Sequence, residues 1–248
     1  MKKTYMMLVL AGMLLLALPQ TLKANQKIES QTIQDAFLTT LAPSISEGII
    51  QQYGYLKSYR LNDASIVSMK RNQKEGFDFT VIVEIKTFEN ADNPPYGNEK
   101  MTFQIQTDGV ALVEVEHEGD EEERKVNEFY KDVLMDITHS FHLNVLPFEK
   151  YTYPQLQYQA EQNNDFNTLQ AIVDDIVITI LNPGIQPPNK NVILPVTYLK
   201  ETEGYIVFKK SDGTNMLYVL KNENGQWQIV DKKSAKGKKM KADLLWYM

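Results

Sequence analysis

Twice along the chain, an apolar stripe at helical spacing precedes a set of runs in which apolar and polar residues alternate. No other feature limits the fold so tightly. In the first half the stripe is Ile33, Phe37, Leu41, Ile45, Ile49 and Tyr53, widened by Ala36 and Ile50. Apolar residues every three to four positions leave one dry helix face, so the spacing predicts a helix over about 31–53. Pro43 lies inside it and lacks the backbone donor that an interior position needs, which predicts a kink or break near Ala42. Gly54 is expected to terminate the helix. Four strand-like runs follow, near 63–71, 77–88, 100–107 and 110–117. Phe77, Phe79, Val81, Val83 and Ile85 alternate, as do Met101, Phe103 and Ile105, and both sets are expected to face a core. Asp108-Gly109 predicts a hairpin turn. Asn90 to Asn98, with Pro94-Pro95, is expected to be a loop, because proline cannot donate into a central ladder.

In the second half, Val126, Phe129, Tyr130, Val133, Ile137 and Phe141 predict a helix over about 121–146, stopped by Pro147. Glu121, Glu122 and Glu123 fall in its first turn, where negative charge complements the free amide ends. Residues 147–164, rich in Tyr, Gln and Asn, are expected to form an ordered loop. A third helix is expected to begin at Asp165 as its cap and to bury Phe166, Leu169, Ile172, Val173, Ile176 and Ile180. Strand-like runs near 191–199, 204–210, 215–221 and 226–231 follow, with turns at Asp212-Gly213 and Asn224-Gly225.

A sheet with one apolar face needs a cover, and an amphipathic helix supplies it. The expected fold class is therefore α+β, as two modules, each a helix packed on a four-stranded antiparallel meander. The boundaries read as a leader at 1–24, a first domain at 25–119, a second at 120–232 and a lysine-rich tail at 233–248. Periodicity leaves open which module owns the helix at 121–146.

Lys2 and Lys3, the apolar run Met6 to Leu18 and the stretch Pro19 to Ala24 have the three-part layout of a secretory signal peptide, with cleavage expected after Ala24. The run is shorter than the roughly 20 apolar residues a membrane span takes. Beyond residue 24 the chain holds 32 Asp and Glu against 23 Lys and Arg, because the leader removes three lysines and no acid. That acidic balance argues against nucleic acid as a partner. Cysteine is absent, which excludes disulfides, thiol catalysis and thiolate metal sites.

Several motifs of the first half belong together. They are the helix end Gln51-Gln52-Tyr53-Gly54, the strand Phe77 to Phe88 and the segment Asn93-Pro94-Pro95-Tyr96-Gly97, with Met101-Thr102-Phe103-Gln104-Ile105 and Val113-Glu114-Val115-Glu116-His117-Glu118 after them. Over residues 31–118 this set resembles a small secreted family of unknown function from Gram-positive spore-forming bacteria. The family often carries a histidine just before the Pro-Pro segment, where this chain has Ala91-Asp92. The resemblance implies export and an uncharacterised domain, and it carries over no catalytic residue. The second half lies outside it; its helix-then-meander order is similar to cystatin-like and nuclear-transport-factor-like folds, a likeness of layout alone.

Candidate chemistry is sparse. Asp136, His139 and His142 share one helix, with the two histidines three apart, and imidazole with carboxylate suits zinc. The acid placement of a metalloprotease helix is missing, so ordinary helix residues are the favoured reading and no metal or cofactor is expected. His117 stands among Glu114, Glu116, Glu118 and Asp120, but alternation puts the three glutamates on one strand face, a solvated acidic edge rather than a calcium loop. Neither a Gly-x-Ser-x-Gly elbow nor a phosphate-binding glycine loop occurs. Lys232, Lys233, Lys236, Lys238, Lys239 and Lys241 precede the apolar end Leu244 to Met248; they suggest contact with a polyanion such as anionic lipid or a wall polymer, or docking on the acidic body of the protein. The function these features favour is an exported, non-catalytic module that binds a protein, wall polymer or small ligand. A secreted, metal-assisted hydrolase is the alternative.

Overall fold

The computed structural model describes residues 30–89, 93–181, 194–210 and 212–239. The leader, Lys241 and the apolar end 244–248 lie outside the described residues. The chain divides into a unit of residues 1–35 and a unit of residues 36–248. The described part of the first unit, 30–35, is the start of helix α1 (Ser30–Tyr53). The described residues form four α-helices and two antiparallel sheets of five strands each, a mixed α+β architecture. None of these helices is long and apolar enough to cross a membrane.

Of the kink or break expected near Ala42, the break does not occur: helix α1 is continuous through Pro43. Beside the proline, the Tyr59 hydroxyl donates to the Ala42 carbonyl at 3.3 Å and lies 2.8 Å from Ser46 Oγ. Gly54 ends the helix, its N–H donating to the Ile50 carbonyl. Leu38, Leu41, Ile45 and Ile49 pack on Val81, Val83 and Ile85 of β3 (Phe79–Glu89) and on Met101 and Phe103 of β4 (Asn93–Gln106). Each such side chain, once buried, contributes about 1.5–3 kcal/mol. Two strands share one edge of β3: β2 (Ser65–Arg71) pairs with residues 79–84 and β1 (Ser58–Tyr59) with 87–88. The first sheet is thus a four-column meander, β2-β3-β4-β5, to which the two-residue β1 adds a fifth strand; β5 is Gly109–Gly119. Phe77, expected in the core, precedes β3 and is 73% exposed.

Of the expected loop over Asn90–Asn98, residues 93–98 are strand, and 90–92 lie outside the described residues. Strand β4 already begins at Asn93 and pairs Asn93 with Glu89 and Gly97 with Thr87. Pro94 and Pro95 occupy the register shift between those two pairs, where no ladder donor is required of them.

The second sheet has the order β10-β9-β8-β7-β6, with β6 at Glu149–Tyr151, β7 at Val196–Lys200, β8 at Glu203–Lys209, β9 at Thr214–Glu223 and β10 at Gln226–Lys236. Helices cover both of its faces, not one. Val133, Leu134 and Ile137 of α2 (Glu121–Ser140) pack on Val196, Tyr198, Val207 and Leu217. Leu156 of α3 (Tyr153–Gln162) and Leu169 and Val173 of α4 (Asn167–Asp175) pack on Leu199, Ile206, Phe208, Tyr218, Leu220 and Trp227. Neighbours 206, 207 and 208 therefore enter alternate cores, which explains the unbroken apolar runs of β8 and β9. Helix α2 stops at Ser140, and its apolar face belongs to the second sheet.

Residues 147–164 are also corrected, from loop to β6 and α3. Thr152 opens α3, and its backbone N–H donates to the Gln155 side chain at 2.9 Å, half of a capping box. Asp165 is not the cap of the next helix; Asn163 Oδ1 accepts from the Asp165 N–H and caps the 3-10 turn Asn164–Phe166 that leads into α4. A π-helical stretch, Ile176–Leu181, continues α4. The lysine-rich segment is sheet as far as Lys236, so β10 passes the expected boundary at 232.

Candidate functional site

The motifs of the first half converge on a buried polar cluster at the end of the first sheet, and a β-bulge puts it there. Along β5, Leu112 pairs with Phe103 and Glu114 pairs with Thr102, leaving Val113 unpaired and 62% exposed. The extra residue reverses the strand's parity. Before it Val110 and Leu112 face the core; after it Val115 and His117 do. Glu114, Glu116 and Glu118 turn to the other face, as alternation predicts. His117 then sits opposite Glu99, and Glu99 opposite Ile85. In the next row Thr87 faces Gly97, and Gly97 faces Gly119. Gly97 leaves room under the end of α1, and Gly119 leaves room for the Glu123 side chain of α2. A Cβ on Gly97 would run into the Tyr53 hydroxyl and lie 2.5 Å from Glu99 Oε1.

Glu99 is wholly buried. Its Oε1 accepts from Tyr53 Oη at 2.7 Å and from Thr87 Oγ1 at 3.0 Å, and its Oε2 lies 3.0 Å from His117 Nδ1. The other ring nitrogen, Nε2, lies 2.8 Å from Glu123 Oε2. Glu123 is held in place by Asp120, whose Oδ1 accepts the Glu123 N–H at 2.7 Å as the cap of α2, while Asp120 Oδ2 accepts the Tyr96 N–H. Lys57, 3% exposed, lies over the Tyr53 ring, 3.7 Å from Glu123 Oε1 and 3.8 Å from Glu89 Oε1. Burial, opposed by Lys57 and reinforced by Glu123, pushes the Glu89 carboxyl up. Burial also raises the Tyr53 phenol, and its hydrogen bond to Glu99 adds to the effect.

Catalysis is a poor use of this arrangement. A general base needs a free ring nitrogen within reach of substrate. Here carboxylates take both nitrogens of His117. The cluster instead joins the two sheets. Glu123 belongs to α2, and Gln155 of α3 donates its Nε2 to the Tyr53 carbonyl at 2.7 Å.

The expected metal suspects do not come together. Asp136 Oδ2 accepts from Lys209 Nζ at 2.6 Å, Asn215 Nδ2 at 3.0 Å and the Lys238 N–H at 3.0 Å. Burial alone would raise this carboxyl, but those hydrogen bonds outweigh it and hold it down to about 2. His139 and His142 are exposed, His142 with φ 52° in the turn after the helix. No group of three His, Asp or Glu suited to a metal ion occurs among the described residues. Lys232, Lys233, Lys236, Lys238 and Lys239 are exposed, the first three on the free edge strand β10.

The surface of the described residues carries clefts, two of which bear on function. One, of about 580 Å³, is lined by Asp63, Ser65, Glu84, Ile85, Lys86, Asn98 and Glu118 on the first sheet. The other, of about 400 Å³, lies across the end of the second sheet, from β6 through the β7–β8 turn to the start of β10, and has an aromatic lining of Tyr151, Phe166 and Trp227. Neither was legible from periodicity. The role of Tyr53, Lys57, Thr87, Glu99 and Glu123 in one polar cluster also escaped the sequence reading. Glu99 alone left a signal, an acid at a core-facing position in the alternation that continues through Met101 and Phe103.

Fold and cluster together define a mixed α+β protein whose first sheet carries a buried Tyr–Glu–His–Glu network. Residues 33–119, about a third of the chain, match the family described as Protein of unknown function (DUF3888). That segment contains Tyr53, Gly97, Glu99 and His117 and stops just short of Glu123. No curated protein matches the chain.

Proposed function

We propose that this is an exported, non-catalytic binding protein and that its ligand cleft is the aromatic one on the second sheet. The observation that carries this reading is that polar groups without partners stand here beside an aromatic wall, which the cleft on the first sheet lacks. Both buried clusters use their charges on internal partners, whereas the cleft of Tyr151, Phe166 and Trp227 does not. There the carboxylates of Asp165 and Glu201 and the ammonium of Lys200 make no ion pair or side-chain hydrogen bond among the described residues. Concave, partly aromatic sites with a few unspent polar groups are where small ligands bind. Export rests on the leader sequence at 1–24. The hydrolase alternative loses ground because Asp136 is committed to Lys209 and the histidines beside it point to no shared centre.

Thermal-shift measurements on the purified full chain, against cationic, neutral and anionic small molecules, test this reading. At least one class should raise the midpoint, and Phe166→Ala should abolish that rise. No response to any class, or turnover of chromogenic esters or glycosides, overturns it. A second reading, contact with an anionic surface, is favoured by the lysines of the β10 edge. Vesicles containing anionic lipid should retain the protein at low salt and release it as salt rises.

A further inference from the structure

The lining of the aromatic cleft has a composition that narrows its ligand. Three carboxylates, Glu149, Asp165 and Glu201, stand against one cation, Lys200, which leaves an excess of two negative charges. Only Glu149 has a side-chain partner, the Tyr151 hydroxyl, which donates to it at 2.7 Å. Burial and that bond push the Tyr151 phenol up to about 12, so it stays a neutral donor locked to Glu149. Hydrogen-bond donors are in surplus too. Asn163 and Asn222 spend their side-chain oxygens on the Asp165 and Gly225 amides, and their NH2 groups make no hydrogen bond among the described residues. Trp227 is nine-tenths buried and lines the cleft, and no described residue accepts from its indole N–H. The rings of Tyr151 and Phe166 meet edge to face at 5.7 Å and form a rigid apolar wall.

We infer that the cleft binds an amino sugar, a protonated amine carried on a hydroxylated ring. This rests on the binding reading above and gives the ligand its chemical class. The ring's apolar face would lie on the aromatic wall. Its hydroxyls both donate and accept, which answers the mixture of Lys200, asparagine and indole donors with carboxylate acceptors. Its ammonium answers the two surplus negative charges, helped by the neighbouring π faces. A plain sugar would leave the excess charge unmatched, and a plain polyamine would leave the indole and amide donors unmatched.

Isothermal titration of the full chain with the trimer of glucosamine tests this, with the trimer of N-acetylglucosamine and with spermidine as comparisons. The glucosamine trimer should bind with a Kd of about 1 mM or tighter. The acetylated trimer, which keeps the rings and loses the charge, and spermidine, which keeps the charge and loses the rings, should each bind at least about tenfold more weakly. Asp165→Asn combined with Glu201→Gln should weaken the glucosamine trimer about tenfold while leaving the thermal midpoint unchanged, since neither carboxylate has a partner in the fold. Equal binding of either comparison compound, no binding of the glucosamine trimer, or no effect of the double variant overturns the inference. If another ligand class still shifts the midpoint in a Phe166-dependent way, the binding reading survives and only the amino-sugar assignment falls.

Discussion

Lys209 is the most demanding side chain in the second sheet, and replacing it by methionine tests how the end of β10 is held. Its side chain is 2% exposed. An ammonium has three donors, and all three find acceptors: Asp136 Oδ2 at 2.6 Å, the Lys238 carbonyl at 3.0 Å and the Gly213 carbonyl at 3.4 Å. Removing one partner of a buried ion pair costs about 3–5 kcal/mol. In Lys209→Met the Asp136 carboxylate keeps Asn215 and the Lys238 N–H and is 15% exposed, so the lower end, about 3 kcal/mol, is expected. Asp136→Asn leaves a buried cation facing two carbonyls and should cost at least as much. The double variant should cost at least about 1 kcal/mol less than the sum, because neither charge is then stranded. Asp136 supplies the pH signature. Its folded-state value of about 2 lies below the ordinary 3.8, so its stabilising contribution is complete above pH 4–5 and is lost as pH falls towards 2. At 1.36 kcal/mol per unit the full shift is about 2 kcal/mol, and water at the partly exposed carboxylate lowers this to about 1–2 kcal/mol. Urea unfolding of wild type and Asp136→Asn between pH 7 and pH 2 should show their difference narrowing by that amount. A difference that stays constant with pH, or single-variant costs that simply add, refutes the reasoning.

Gly97→Ala should cost about 1–3 kcal/mol in urea unfolding, because its Cβ drives into the Tyr53 hydroxyl and the Glu99 carboxylate. Gln155→Ala removes two hydrogen bonds, one from the Thr152 N–H and one to the Tyr53 carbonyl, and should lower stability by about 1–2 kcal/mol by the same measurement. Replacing Lys232, Lys233 and Lys236 with threonine bares the β10 edge, so light scattering should show concentration-dependent association that the wild type lacks.

How much of this was readable from sequence depended on whether each strand had one buried face or two. In the first sheet one face is dry, so Val81, Val83, Ile85, Met101 and Phe103 declare themselves by alternation, and Asp108-Gly109 declares the turn between β4 and β5. In the second sheet both faces are covered, alternation disappears, and the runs 205–208 and 216–220 reveal strands but not two layers of helix. Helix α3 hid because its apolar anchor is a single buried residue, Leu156, amid Tyr and Gln, although Thr152 and Gln155 already had capping-box spacing. The buried cluster hid for another reason. Charged residues on a strand read as solvated, and only a parity count across Val113 shows that His117 must face the same way as Leu112 and Val115. Long-range partners such as Glu123 and Lys57 leave no local trace.

That cluster bears on what the family-matched segment needs. Residues 33–119 include Glu99 and one side of His117, but the partner of His117 Nε2 and the nearer carboxylate of Lys57 are both Glu123, four residues beyond the match. Lys57 is 3% exposed, and a buried ammonium deprived of its nearer carboxylate costs on the order of a few kcal/mol. The segment therefore folds best when something supplies an acid where Asp120 starts a helix, since the cap fixes Glu123 in the first turn and aims it back at β5. Here the second module does so with the helix whose opposite end holds Lys209 through Asp136. One helix thus carries two buried ion pairs, one to each sheet. The helix between Glu123 and Asp136 fixes the distance between them and its apolar face holds it on the second sheet, so repacking Val133 or Ile137 would disturb the His117 cluster without touching it.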